Sequence, residues 1–288
     1  MNGERGLIDT LLSPVSKLVE LYARWSSRSS FNIPEPTMGD GDSDGKPLVL
    51  LVTGSMIVSD FFDLLADRLV REGFRVVVYQ PEDLLTASLE KSAHDIDCAV
   101  RSVLATTGEE KLLLLAECNG GVAARYWLTQ LGGNRYVDRF ITFVSAHHGT
   151  APAVIPVCSS FKEIQPGNPF LALMDETGLP EDTEMFSVYM NKDEVMKPYT
   201  TSMVDGAVNI EVCDDELNRR AYARRFRAPR VHQFMGDVIN VFCPVHFAGF
   251  YDDRMHDLFV SCLKDDIETV KAFDGCNVNV SRAVESAR

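Results

Sequence analysis

The chain has 288 residues, with 45% apolar and 24% charged side chains. That is a globular balance, and it excludes a disordered chain, a collagen-like chain and a coiled-coil rod. Lys and Arg number 28 and Asp and Glu 42, so the net charge is −14, which repels phosphate and argues against general nucleic-acid binding. Cysteines stand at 98, 118, 158, 213, 243, 262 and 276, an odd count with no CxxC pair. Neither a disulfide framework nor a structural metal site is expected from that spacing, and no cofactor is expected.

Leu7, Ile8, Leu11, Leu12, Val15, Leu18, Val19 and Tyr22 recur at helical steps, which predicts an amphipathic N-terminal helix. It is expected to dock on the domain or on a second copy, with a membrane surface as the alternative. Polar interruptions leave no continuous apolar leader, and no run reaches the roughly 18 apolar residues of a membrane span. With free cysteines, this predicts a cytoplasmic protein. Residues 27–46 are rich in Ser, Pro, Gly and Asp and read as a linker, so residues 1–46 form a helix and linker and residues 47–288 the main domain.

Apolar runs then alternate with helical patterns. Strands are predicted at 48–52, 74–79, 111–116 and 140–145, and helices at 58–72, 88–106 and 120–131. All-apolar strands alternating with helices predict an α/β fold, a mainly parallel sheet flanked by helices. From 150 to 184 the breakers Pro152, Pro156, Pro166, Gly167, Pro169, Gly178 and Pro180 interrupt the pattern, which predicts a cap insertion over about 151–184 with a short helix near Phe170–Met174. Strands at 185–189 and 208–212 and a closing helix at 253–263 complete the domain.

The third strand runs into Ala116-Glu117-Cys118-Asn119-Gly120-Gly121, and a helix follows at once. Strand, sharp turn and helix with small residues around a nucleophile make a nucleophile elbow. It places Cys118 at a helix N-terminus, where the dipole favours a thiolate. The plainer alternative is a buried core cysteine. An oxyanion hole takes one N–H from the residue after the nucleophile, Asn119, and one from the loop after the first strand. That loop, Thr53-Gly54-Ser55-Met56, resembles the His-Gly-x turn of the α/β-hydrolase family with Thr53 for His, which implies Ser55 as the donor and Met56 as the fallback; an ordinary glycine turn reads as well from that segment alone.

Gly120-Gly121-x-x-Ala124-Arg125-Tyr126-Trp127-Leu128 and Ser145-Ala146-His147-His148-Gly149-Thr150 resemble the elbow helix and the Thr-Pro-His-His-Gly-Thr segment of bacterial lipases and esterases in the α/β-hydrolase family. The resemblance covers about residues 47–264 and implies an α/β-hydrolase fold. It departs from the family's Gly-His-Ser-x-Gly in having glutamate at 117 and cysteine at 118. It also implies a triad in the order nucleophile, acid, histidine. Asp193, just past a strand end, resembles the family's Asp-x-Val-Val segment, with Glu194 its close competitor and an ordinary loop acid the bland alternative. His246, before Ala248-Gly249, resembles the family's histidine segment and is the expected base. His232 and His256 are weaker choices, His147 and His148 are expected at the pocket floor, and His94 in solvent.

A thiol nucleophile makes a thioester, which suits acyl transfer as well as hydrolysis; the family also holds polyhydroxyalkanoate synthases, relatives with a cysteine elbow. The sequence therefore reads as an acyltransferase or thioesterase acting on an acyl-thioester or ester through a Cys118–His246–Asp193 triad. One alternative is a cytoplasmic carboxylesterase, and the other an inactive binding scaffold. Arg219, Arg220, Arg224, Arg225, Arg227 and Arg230 form a dense cluster, read either as a docking site for coenzyme A or an acidic acyl carrier protein or as a solvated face balancing nearby acids. The expected cap residues Phe161, Ile164, Phe170, Leu171, Leu173 and Met174 either line an apolar acyl pocket or pack the insertion onto the sheet.

Overall fold

The computed structural model describes residues 45–224, 242–273 and 275–280. The expected N-terminal helix, most of the linker, His232, Arg225, Arg227 and Arg230 lie outside the described residues.

β1 (Leu48–Val52) is five apolar residues, all buried. Such a run suits a strand covered on both faces, and each buried Leu or Val side chain contributes about 1.5–3 kcal/mol. β1 pairs in parallel with β2 (Arg75–Tyr79) on one side and with β3 (Leu112–Glu117) on the other. β4 (Val137–Phe143), β5 (Glu184–Met190) and β6 (Val208–Val212) extend the sheet in parallel. β7 (Cys276–Val280) closes it antiparallel to β6, giving the order β2-β1-β3-β4-β5-β6-β7.

α1 (Asp63–Arg71) joins β1 to β2, α2 (Leu89–Thr107) joins β2 to β3, and α3 (Cys118–Gln130) follows β3. α2 starts where Ser88 accepts the Lys91 N–H at 3.2 Å and stops at left-handed Gly108, a capped start and a glycine stop. Passing from β2 back across β1 to β3 reverses the winding of the sheet. With right-handed crossovers, the helices before and after that reversal fall on opposite faces. Thus α2 packs against α3, whereas α1 packs against the closing helix, Asp253–Leu263. The reversal falls at the carboxyl ends of β1 and β3, where the loop after β1 and the turn after β3 come together.

Residues 150–184 carry a 3-10 turn (Ala151–Val154), α4 (Ser159–Glu163) and α5 (Pro169–Thr177). α5 starts with Asn168 accepting the Phe170 N–H at 2.9 Å and with Pro169 at its first position, where a missing N–H costs nothing. Some boundaries differ from the sequence reading. The expected helix over 58–72 is a 3-10 turn (Ser59–Phe62) leading into α1, and the third helix begins at Cys118 itself. α6 (Asp215–Arg224), a helix at Ile267–Ala272 and β7 were not anticipated. α6 is half charged and buries only Leu217, Asn218 and Ala221 among its described side chains, too narrow a stripe to stand out as a periodic pattern. No helix among the described residues is long and apolar enough to cross a membrane.

Candidate active site

Cys118 has φ +51° at the junction of β3 and α3. The left-handed region costs a residue with a Cβ about 1–2 kcal/mol, so close packing must hold it there. A Cβ on Gly120 would stand 2.5 Å from the Thr53 carbonyl oxygen, and one on Gly121 would stand 2.1 Å from Ser145 Oγ. A Cβ on Gly54 would meet Glu117 Oε2 at 2.1 Å and Cys118 Cβ at 2.9 Å. The first turn of α3 is therefore pressed against the loop after β1 and the end of β4, and only glycines permit it.

His246 enters this junction from the segment before the closing helix. Its Nδ1 is 2.8 Å from Asp193 Oδ2. Asp193 is just past β5, and its other oxygen accepts the N–H groups of Val195 at 2.6 Å and Met196 at 2.8 Å. The competitor Glu194 instead accepts the backbone N–H groups of Val245 and His246, each at 3.2 Å. One acid thus orients the ring and its neighbour holds the backbone beneath it. The ring's other face is turned to the elbow, where Cys118 Sγ, a Glu117 oxygen and a His246 nitrogen all lie within 4.8 Å of one another.

Glu117 is the residue that sequence reasoning passed over. It is buried, neither carboxyl oxygen has an aligned hydrogen-bond partner, and Oε1 lies 3.3 Å from His246 Nε2. The available signal was its position, an acid ending an otherwise apolar buried strand, since such acids are almost never fully buried unless paired.

Burial pushes the Glu117 carboxyl above the ordinary carboxylate range, and His246 and the Gly54 amide only partly offset this. Burial also raises the Cys118 thiol, and Glu117 adds to the rise against the opposing pull of His246 and the Asn119 amide. The thiolate expected from the helix dipole is therefore disfavoured, because burial and the adjacent carboxyl outweigh the dipole. For His246 burial opposes the charged ring, but Asp193, Cys118 and Glu117 outweigh it and hold its pKa well above the usual imidazole range. An imidazolium beside a thiol has no room for the thiol's proton, so reactivity rises as pH increases and the site loses a proton. Glu117→Gln removes a group that raises both pKa values. The pH midpoint of Cys118 alkylation by iodoacetamide is expected to fall, and an unchanged or higher midpoint contradicts this reading.

Ser55 and Asn119 are joined directly: Asn119 Nδ2 donates to Ser55 Oγ at 2.8 Å, and that hydroxyl donates to the Leu85 carbonyl at 2.9 Å. The fallback Met56 N–H is already given to Leu84 O at 2.8 Å, whereas the Ser55 N–H has no backbone acceptor among the described residues. The Asn119 N–H faces Cys118, and amides in a first helical turn have no acceptor within the helix.

His147 is buried with Nε2 3.2 Å from Thr142 Oγ1, whereas His148, expected at the pocket floor, is exposed, 3.4 Å from Asp175. His94 is exposed, and His256 is buried in the closing helix. In the insertion Ile164, Leu171 and Met174 are buried in the main core, Phe170 stacks on Tyr126 at 4.7 Å, and Leu173 is exposed. Both arginines of the cluster whose side chains are described are paired within the chain. Arg219 pairs with Glu216, and Arg220 donates to both oxygens of Asp252 at 3.0 and 3.2 Å. Arg224 ends α6, and Arg225 lies outside the described residues.

No protein-family model matches the chain, and no curated protein sequence matches it. Solved structures do. Lipase B of Aspergillus fumigatus is similar with a TM-score of 0.58 at 16% identity, over 83% of this chain and 57% of that one. The metagenomic carboxyl esterase MGS0156 is similar with a TM-score of 0.53 at 12% identity, over 81% and 80%. The propeptide form of Bacillus licheniformis lipase BlEst2 gives 0.52 at 15% identity, over 60% and 47%, so the chain spans about half the length of these two lipases. The chain has the α/β-hydrolase fold. In an α/β-hydrolase the nucleophile stands on the turn after a central strand, with the acid and then the histidine later in the chain; Cys118, Asp193 and His246 occupy that order here.

Proposed function

We propose that this α/β-hydrolase moves an acyl group through a thioester on Cys118. The observation that carries the reading is the line of side chains from Asp193 through His246 to a cysteine held at positive φ above the central strands. His246 Nε2 takes the thiol proton while Sγ bonds to the acyl carbonyl carbon. The negative charge on the carbonyl oxygen is met by the N–H groups of Ser55 and Asn119. The carbon–leaving-group bond then breaks, and the leaving alcohol or thiol receives the proton from Nε2. An acceptor alcohol, amine, thiol or water reverses the sequence and frees Cys118.

Thioesters pass their acyl group readily to other nucleophiles, which supports transfer. The similar proteins named as a lipase and a carboxyl esterase support a second reading, with water as the acceptor. Arg219 and Arg220 are already paired within the chain and do not favour a phosphorylated or acidic donor, so the donor is read as a plain ester or thioester.

Turnover of an aryl ester and the matching aryl thioester, with and without added hydroxylamine as acceptor, separates these readings. Wild type is expected to release the aryl group, faster with hydroxylamine, and Cys118→Ala is expected to be silent. Rates independent of the acceptor favour hydrolysis. Wild-type turnover by Cys118→Ala overturns the proposal.

A further inference from the structure

The triangle that places Glu117 beside the thiol has donor chemistry that acyl transfer does not require. Sulfur, imidazole nitrogen and carboxylate oxygen are the donors that bind zinc in tetrahedral sites. Bonds of about 2.0–2.3 Å put the ligand atoms of such a site roughly 3.3–3.8 Å apart. His246 Nε2 and Glu117 Oε1 are already 3.3 Å apart, and no pair in the triangle exceeds 4.8 Å.

Two further observations point to a cation rather than to the thiol alone. Glu117 is 1% exposed, and both of its oxygens lack an aligned hydrogen-bond partner, a costly state for a buried carboxyl. His246 is oriented by Asp193 through Nδ1. A carboxylate on the far nitrogen fixes the tautomer with Nε2 open, the arrangement that supports metal-bound histidines. A thiolate and a carboxylate together also neutralise a divalent charge in a buried site.

We propose that Glu117, Cys118 and His246 bind a thiophilic divalent cation of the zinc class, and that this cation reversibly silences the nucleophile. Binding forms bonds from the metal to Sγ, Nε2 and a Glu117 oxygen, and releases the thiol proton, together with any proton on His246 Nε2 or Glu117, to solvent. Nε2 then has no lone pair with which to take a proton, and Sγ, its charge drawn onto the cation, is a weaker nucleophile; a chelator restores both. No local spacing motif announces this site, because position 246 meets 117 and 118 only in the folded chain. The inference shares its residues with the acyl reading but does not depend on catalysis.

The test uses the full chain after chelator treatment, titrated with Co²⁺ as a spectroscopic probe and with Zn²⁺ as a competitor. Wild type is expected to take up one equivalent of Co²⁺, with visible tetrahedral bands and a near-ultraviolet thiolate-to-cobalt band, both removed by Zn²⁺ and not by Mg²⁺. Zn²⁺ is also expected to protect Cys118 from iodoacetamide. Cys118→Ser and His246→Gln should each lose the thiolate-to-cobalt band, and Glu117→Gln and Asp193→Asn should weaken binding by about 10- to 100-fold. Circular dichroism identifies any variant that has not folded, and the remaining variants carry the comparison. Absence of the bands in wild type overturns the inference, as does binding unchanged in both Cys118→Ser and His246→Gln. Chelated protein that is acylated but does not take up Co²⁺ overturns this inference alone; protein that takes up Co²⁺ but is not acylated even after chelation overturns the acyl reading alone.

Discussion

Asp193→Asn is expected to slow acylation of Cys118 by about 10³- to 10⁴-fold with the fold intact, the scale seen when a triad's orienting carboxylate is lost. The structure gives a particular reason. One oxygen of Asp193 accepts two backbone N–H groups, from Val195 and Met196. Asparagine in the same pose must keep its oxygen on those donors, which turns its NH₂ toward His246 Nδ1. The ring then has to accept at Nδ1 and carry its proton on Nε2, the wrong tautomer for taking a proton from Cys118. Single-turnover kinetics with an aryl thioester measure the rate, and thermal unfolding checks the fold. A loss below about tenfold contradicts an orienting role for Asp193.

The second large effect is expected at Gly120. A Cβ there would stand 2.5 Å from the Thr53 carbonyl oxygen, a backbone atom that cannot rotate away. Gly120→Ala is expected to cost about 1–3 kcal/mol of stability through overpacking. It also pushes α3 off the loop that carries Ser55, separating the two oxyanion donors; loss of one such donor costs about 10²- to 10³-fold in rate. Gly108→Ala is the control: at φ +75° with open space around it, it should cost about 1 kcal/mol by strain alone and leave the rate unchanged. Equal rate losses in the two variants, or none at Gly120→Ala, contradict the close approach at the elbow.

Much of the frame is legible in the sequence because its signals are local. The continuous apolar run of β1 and the run from Leu112 to Ala116 announce covered parallel strands. The two glycines after Asn119 announce the turn. The polar edge of the molecule was not legible. β7 reads Cys-Asn-Val-Asn-Val; it follows the closing helix rather than the strand-and-helix alternation, and it pairs antiparallel to β6. The sequence ranks Asp193 over Glu194 only narrowly, because the choice depends on which carboxyl meets the ring and which meets the backbone of a segment some fifty residues later. Glu117 was the hardest. In the sequence it is only a departure from the lipase motif, with no role attached. Its place against His246 Nε2 makes it instead one of the groups that raise the pKa values of both His246 and Cys118, beside burial and Asp193.

Whether Cys118 carries the acyl group is tested most directly by intact-mass analysis of chelator-treated protein. The protein is quenched in acid soon after mixing with an aryl thioester, and peptide mapping locates the adduct. One acyl increment is expected on wild type, located at Cys118, released by hydroxylamine and missing in Cys118→Ala. No increment with either ester or thioester donors, or an increment that maps to another cysteine and survives in Cys118→Ala, would contradict a Cys118 acyl-enzyme.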